Sequence, residues 1–199
     1  MCCYEIRAEI MHDHTLDKAS LRRMLLANRQ AIPAEVRQQW DAAIGARVLA
    51  WWNANPVRSL GVYWPIRNEP DLRTLYQTLA RRGVQLGLPT VTARDAPLRF
   101  ICWQPGDALV KDGFGAMVPQ EASIALKPEA LLIPCVGFNR DNFRLGYGGG
   151  FYDRTLAGAP RPATVGVAYE CCRAEFGADV FDIPLDAVIT EQSLATPAP

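Results

Sequence analysis

Apolar residues recur at helical spacing through the first fifty positions and gather into short strand-like runs afterwards. Leu21, Met24 and Leu25 and, a turn beyond, the Ala31–Ile32 end give one helix an apolar side, with Thr15 or Asp17 as its cap. Pro33 separates it from a second helix, where Val36, Trp40, Ile44, Val48 and Trp51 form a stripe that packs on a core. These tryptophans read as core and not as ligand platforms. Apolar runs then predict strands at Leu60–Trp64, Val84–Leu88, Leu98–Trp103, Leu131–Phe138, Thr164–Ala168 and Ala187–Thr190. Helical segments at Asp71–Arg82 and Phe151–Ala157 lie between some of them. Such alternation predicts an α/β fold with a mostly parallel sheet covered on both faces, whose ligands sit beyond the carboxyl ends of the strands. There is no internal repeat, and only the tail Ala195–Pro199 reads as a disordered end.

One stretch behind the Leu131–Phe138 run breaks the pattern. In Arg144-Leu145-Gly146-Tyr147-Gly148-Gly149-Gly150-Phe151-Tyr152-Asp153, four glycines fall within five positions. Such a loop lets successive N–H groups converge on an anion, and a helix opening at Phe151 adds its dipole. Phe151 follows Gly150 where a Walker loop needs lysine, and it stands where a dinucleotide fingerprint starting at Gly146 needs glycine. Taken alone, the glycines favour a tight strand-to-helix turn. Arg144 before them and Asp153 after them favour an anion site, phosphate first, because a structural turn needs no opposite charges at its ends.

Composition narrows the chemistry. The 199 residues are 49% hydrophobic and 21% charged, enough for a sizeable core in a one-domain enzyme. Twenty-one basic and 21 acidic residues cancel, so no global field draws in nucleic acid. No apolar run approaches the roughly 20 residues of a membrane span and the first residues lack the order of a signal peptide, which predicts a cytoplasmic protein without a membrane partner. Nothing in the sequence sets an oligomeric state, and a monomer is compatible with it. The cysteines, Cys2, Cys3, Cys102, Cys135, Cys171 and Cys172, contain no C-x-x-C, so a zinc site is not expected. His12 and His14 are the only histidines, both near the start, which leaves histidine-based triads without candidates. Charge, a metal or positioning must carry the chemistry.

The first helix carries a basic stripe. Lys18, Arg22 and Arg29 share one face, and no acid lies between Lys18 and Arg29. Either the stripe is a solvated face, or Lys18 and Arg22 reach a polyphosphate held by the glycine loop.

Ile133-Pro-Cys-Val-Gly-Phe138, the Arg144–Arg154 motif and Lys18-Ala-Ser-Leu-Arg22 occur in an order that resembles the 5-formyltetrahydrofolate cyclo-ligases, also called 5,10-methenyltetrahydrofolate synthetases, from about Asp17 to about Glu191. The resemblance implies a single three-layer α/β/α domain after two N-terminal helices, spanning residues 17–194, with 1–16 an extension and 195–199 a tail. It implies ATP and Mg²⁺ as cosubstrate and cofactor, and a ligase that converts 5-formyltetrahydrofolate to 5,10-methenyltetrahydrofolate with release of ADP and phosphate. The implied route is attack of the formyl oxygen on the γ-phosphate, closure from N10 and loss of phosphate. Such phosphoryl transfer depends on positioning and charge neutralisation, which suits a site without histidine.

Residue by residue, the resemblance assigns ATP to Lys18, Arg22, Arg144 and the Leu145–Asp153 loop, with Arg144 and Lys18 as the catalytic cations. It assigns Mg²⁺ to Asp153 and Asp186, and folate to Trp64, Glu69, Phe114 and the loop residues Tyr147 to Phe151. Without it, Asp186 reads as a turn residue, Asp153 as a dipole partner, and Trp64 and Phe114 as core. Two positions depart from the family's pattern: Val118-Pro119 stands where an acid precedes proline, and Asn142 where glycine is frequent. Asparagine tolerates left-handed backbone. Two alternatives remain open at this point, a sister ATP-dependent enzyme with another substrate and a non-catalytic nucleotide- or folate-binding module.

Overall fold

The computed structural model describes residues 17–113, 116–120 and 124–195. Thr15, both histidines, Cys2, Cys3 and Phe114 lie outside the described residues. Helix α1 (Lys18–Gln30) starts at Asp17, whose Oδ1 accepts from the N–H groups of Ala19 and Ser20, both at 2.9 Å. This satisfies two of the donors that a helix start leaves open. Pro33 is the N-cap of α2 (Ala34–Ala54), and α3 (Arg73–Arg81) is followed by Gly83 at φ +85°, which turns the chain into the sheet.

The strands are β1 (Ser59–Gly61), β2 (Gln85–Val91), β3 (Leu98–Trp103), β4 (Leu109–Lys111), β5 (Met117–Pro119), β6 (Ala125–Leu126), β7 (Ala130–Pro134), β8 (Gly137–Phe138), β9 (Arg144–Leu145), β10 (Ala163–Val167), β11 (Ala187–Ile189) and β12 (Leu194–Ala195). The short helix α4 (Phe151–Leu156) follows β9. The central sheet has the order β12-β11-β10-β7-β1-β2-β3-β6. Its middle, β11 to β2, is parallel, while β12, β3 and β6 join antiparallel at the edges. The expected three-layer α/β/α arrangement with a mostly parallel sheet is the one observed. Strand β3 reverses because residues 92–97 are too few for a crossover, which takes a dozen or more.

The main core runs along the sheet. Ile44 and Val48 of the α2 stripe are completely buried, each contributing roughly 1.5–3 kcal/mol. Val36, Trp40 and Trp51 pack around them, as expected of a core stripe. A second cluster joins Leu21 and Leu25 of α1 to Val136 and Leu145. Burying that side of α1 on the β8–β9 ribbon turns the neighbouring Lys18–Arg22–Arg29 stripe toward the carboxyl end of the sheet.

Two predicted strands are shorter than their apolar runs. After β1, Val62 N–H still bonds to Gly87 O at 2.9 Å, but Tyr63 and Trp64 leave the sheet. The Leu131–Phe138 run divides at Cys135, because Gly137 and Phe138 pair with Leu145 and Arg144 in a ribbon of their own. Asn142, at φ +59°, takes the left-handed turn of that ribbon without glycine. Val118 is buried in the β4–β5 ribbon opposite Val110. Among the described residues the cysteines are free thiols, and no helix is long and apolar enough to cross a membrane.

Candidate active site

A cavity of about 750 Å³ opens where β1, β2 and β7 end, bounded by Trp64, Val91 and Pro134. That is the end at which parallel sheets bind ligands. The glycine loop forms one wall, with Lys18, Arg22, Arg144, Asp153 and Asp182. Trp64, Ile66, Glu69 and Met117 form the other. Lys18, Arg22, Trp64, Glu69, Arg144 and all of the Leu145–Asp153 loop therefore meet in one space.

The loop has the geometry of an anion nest. Gly148 and Gly150 lie at φ +94° and +63°, conformations that favour glycine. Arg22 Nε donates to Gly146 O at 2.8 Å and Arg154 Nη2 to Gly149 O at 2.7 Å, so two arginines hold loop carbonyls. Among the described residues the Gly148 and Gly149 N–H groups have no acceptor. Gly149 is needed for space: a Cβ there would stand 2.8 Å from the Phe151 ring. Gly146 faces open space and carries no such requirement. Helix α4 spans only six residues, so the dipole expected at Phe151 is that of fewer than two turns.

Two cations of this wall, Arg144 and Lys18, are paired with acids. Arg144 makes a two-pronged contact with Asp153, Nη1 to Oδ1 at 3.0 Å and Nη2 to Oδ2 at 2.9 Å, with its guanidinium also 5.5 Å from the Tyr152 ring. Lys18 Nζ lies 2.6 Å from Asp179 and 2.7 Å from Asp182. Burial alone would lower the Lys18 pKa, but its bonds to the two acids outweigh that and raise it. Burial likewise pushes Asp182 up, while the Asp179 N–H and Lys18 pull it below the usual carboxylate range. Both groups keep their charge at neutral pH.

Asp186 is the exception among the assigned residues. Its Oδ2 accepts from Thr164 N at 2.7 Å and Thr164 Oγ1 at 2.9 Å, and Arg161 lies 3.6 Å from its other oxygen. Asp186 immediately precedes β11 and Thr164 stands at the start of the parallel β10, so this carboxylate sits at the amino end of the sheet, away from the cavity. The expectation that it joins Asp153 is corrected: the acid beside Asp153 is Asp182, whose neighbour Ile183 donates its N–H to Asp153 Oδ1 at 3.5 Å. The two acids flank Ile183-Pro184-Leu185, and strand direction separates them. A signal was present in the sequence, since a residue directly before a parallel strand lies at its amino end.

Across the cavity, Trp64 stands edge-on to Trp103 at 5.9 Å with the Arg73 guanidinium 5.2 Å from its ring, so it is both core and wall. Glu69 is 3% exposed; its oxygens accept from Ile66 N at 2.9 Å and from the Tyr147 hydroxyl at 2.7 Å. Burial raises its pKa, opposed by those two bonds and by the charges of Arg29 and Arg67. Arg29 is not a solvated member of the stripe: it is 1% exposed and reaches Tyr147. Asp179 and Asp182 are cavity residues that the sequence does not single out, while Arg29 and Arg154 are visible there only as members of the basic stripe and of the glycine motif.

The 5-formyltetrahydrofolate cyclo-ligase family model matches residues 14–191. A 5-formyltetrahydrofolate cyclo-ligase of Mycoplasma pneumoniae is 29% identical over 180 residues, covering 89% of this chain and 100% of that one. One of Mycolicibacterium smegmatis is 33% identical over 159 residues, 74% and 79% of the two chains. The solved 5,10-methenyltetrahydrofolate synthetase of Aquifex aeolicus superposes with a TM-score of 0.78 at 27% identity over 91% of this chain and 93% of that one. The Mycoplasma pneumoniae synthetase structure gives 0.75 at 28% identity, over 88% and 99%. With its motifs gathered at one cavity and the family model matched over residues 14–191, the chain belongs to the 5-formyltetrahydrofolate cyclo-ligase family, ligases of folate one-carbon metabolism.

Proposed function

We propose that this enzyme binds ATP on the glycine-loop wall and 5-formyltetrahydrofolate on the Trp64–Glu69 wall, and closes the folate to its 5,10-methenyl form with release of ADP and phosphate. The observation that carries this is the meeting of a phosphate-suited loop and an aromatic wall with one buried acid in a single cavity. A flat folate ring suits the Trp64 side, where Glu69 offers remaining lone pairs to ring N–H donors. The polyphosphate suits Lys18, Arg22, Arg144 and the open loop amides.

Chemically, the formyl oxygen attacks the γ-phosphorus and the bond to ADP breaks. N10 then attacks the activated carbon and loses its proton, and the former formyl oxygen leaves in the phosphate, which carries that proton away as hydrogen phosphate. Lys18 and Arg144 neutralise charge that develops on the phosphoryl oxygens, where preorganised donors are worth most. The chain's acids bear on which ion is needed. A polyphosphate beside Asp153, Asp179 and Asp182 is repelled unless a cation intervenes. A bound Mg²⁺ would supply that neutralising charge. Asp153 and Asp182 are the residues that would hold it. Among the described residues no three acidic, histidine or cysteine side chains are placed to hold a metal by themselves, in keeping with an ion that takes one or two carboxylates from the protein. Release of Arg144 and Lys18 from these acids would free both cations for phosphate.

The test is direct. Purified protein given 5-formyltetrahydrofolate, ATP and Mg²⁺ is expected to develop the methenyl chromophore, with ADP and phosphate in equal amounts. Nucleotide binding without chromophore would mark a binding module, and ATP use only with another substrate would mark a sister enzyme.

A further inference from the structure

The two walls of the cavity are joined by a chain of hydrogen bonds that begins in helix α1. Arg29 Nη2 donates to the Tyr147 hydroxyl at 2.6 Å, and that hydroxyl donates to Glu69 Oε1 at 2.7 Å. The direction is fixed by donor count. Arginine has no acceptor and the phenol has one hydrogen, so the hydrogen must go to the carboxylate. Arg29 is itself pinned, Nε to Arg67 O at 3.0 Å and Nη1 to Cys135 O at 3.4 Å. Its position is therefore set by the β7–β8 junction and not by a ligand. Tyr147, by contrast, is 40% exposed and sits between Gly146 and Gly148 in the glycine loop, with the Arg29 and Arg67 guanidinium groups 5.9 and 5.3 Å from its ring. Nearer the start of α1, Arg22 holds the adjoining Gly146 carbonyl.

We infer that Arg29 is a positioning residue that, through the Tyr147 hydroxyl, sets the glycine loop and Glu69 together, so that the nucleotide and folate subsites are built as one unit. Without the phenol bond the loop loses its anchor to the other wall, and Glu69 loses one of its two hydrogen-bond partners. Both ligands are then bound by a less ordered site. A buried arginine that served only to fill the core would leave ligand binding unchanged.

The inference rests on the proposed ligand assignment, and the experiment separates the two. Calorimetric binding of a β,γ-imido ATP analogue with Mg²⁺, and separately of 5-formyltetrahydrofolate, is measured for the parent, Tyr147→Phe, Arg29→Lys and the double variant, with thermal midpoints alongside. Tyr147→Phe removes one oxygen from a part-exposed ring and keeps the fold measurable even where Arg29→Lys does not. Its expected effect is about a five- to tenfold weakening of each ligand, the worth of one hydrogen bond at each subsite. Arg29→Lys is expected to do the same, and the double variant to be no weaker than about twofold beyond the worse single, since both changes break one chain. Tyr147→Phe affinities equal to the parent's, weakening of one ligand alone, or additive losses in the double variant would each overturn the inference. A parent that binds neither ligand would instead overturn the functional assignment.

Discussion

On the glycine-loop wall the acids have cations within ion-pair distance, 2.9 Å between Asp153 and Arg144 and 2.7 Å between Asp182 and Lys18. Across the cavity Glu69 is almost wholly buried and makes no ion pair among the described residues; its partners are a backbone amide and a phenol. The first arrangement keeps charges ionised and exchangeable, because an ionic ligand can take over each partner. The second offers a fixed acceptor that is expensive to ionise. The proposed function, a polyphosphate on one side and an uncharged ring on the other, has use for both.

The largest effect expected from breaking the paired wall is at Arg144. Arg144→Ala should lower ATP-dependent turnover by roughly 10²–10³-fold, the range for losing a preorganised charge donor at a transition state. Arg144→Lys should recover only part, because a single ammonium cannot make the two-pronged contact. Steady-state kinetics with circular dichroism as a folding check would decide; turnover within a few-fold of the parent removes Arg144 from the chemistry.

Asp182 and Asp186 give the next contrast, four residues apart in the chain, one lining the cavity and the other at the amino end of β11. Asp182→Asn should raise the Mg²⁺ concentration needed for half-maximal turnover by about tenfold or more, while Asp186→Asn should titrate like the parent. The reverse result would mean that the acid at the amino end of β11 reaches the ion after all. Within the loop, Gly149→Val drives its side chain into Phe151 and should weaken nucleotide binding by about tenfold or more. Gly146→Ala, which meets open space, should change it by less than about twofold. Equal effects at the two positions would sink the nest as the reason for the glycines.

These contrasts also mark what the sequence can carry. Helical spacing places the α2 stripe, and the glycines with their flanking charges point to the anion loop, because both signals are local. Asp182 escapes a sequence reading because its place at the cavity depends on Lys18, 164 residues away in the chain, and on Ile183 reaching Asp153. Arg29 reads as one more cation on a basic face because its burial comes from the β7–β8 junction, more than a hundred residues away. The apolar run of β3 predicts a strand, while its direction follows only from the short link before it. Local chemistry is legible, and relations set by topology are not.

The smallest expected effect concerns stability, and it tests the two walls by sign. Burial holds Glu69 above its usual 4.5, so between 4.5 and its folded pKa the folded state binds protons more tightly than the unfolded chain. Stability then falls as pH rises through that window and levels off above it. Asp182 is shifted the other way, below its usual 3.8. Its contribution is present above 3.8 and is lost as pH falls through the folded value. Comparing each variant with the parent by urea unfolding from about pH 3 to about pH 8 isolates these slopes. Relative to parent, Glu69→Gln should gain as pH rises above 4.5 and then hold constant, on top of a pH-independent loss from its altered hydrogen bonds. Asp182→Asn should lose as pH rises toward 3.8 and hold constant beyond it. A tenfold change in a carboxylate's proton affinity on folding corresponds to about 1.4 kcal/mol, and solvent screening reduces what the part-exposed Asp182 contributes. Parallel curves for Glu69→Gln and the parent would mean that its two hydrogen bonds and the nearby guanidinium groups already compensate its burial, and the walls would then differ in geometry alone.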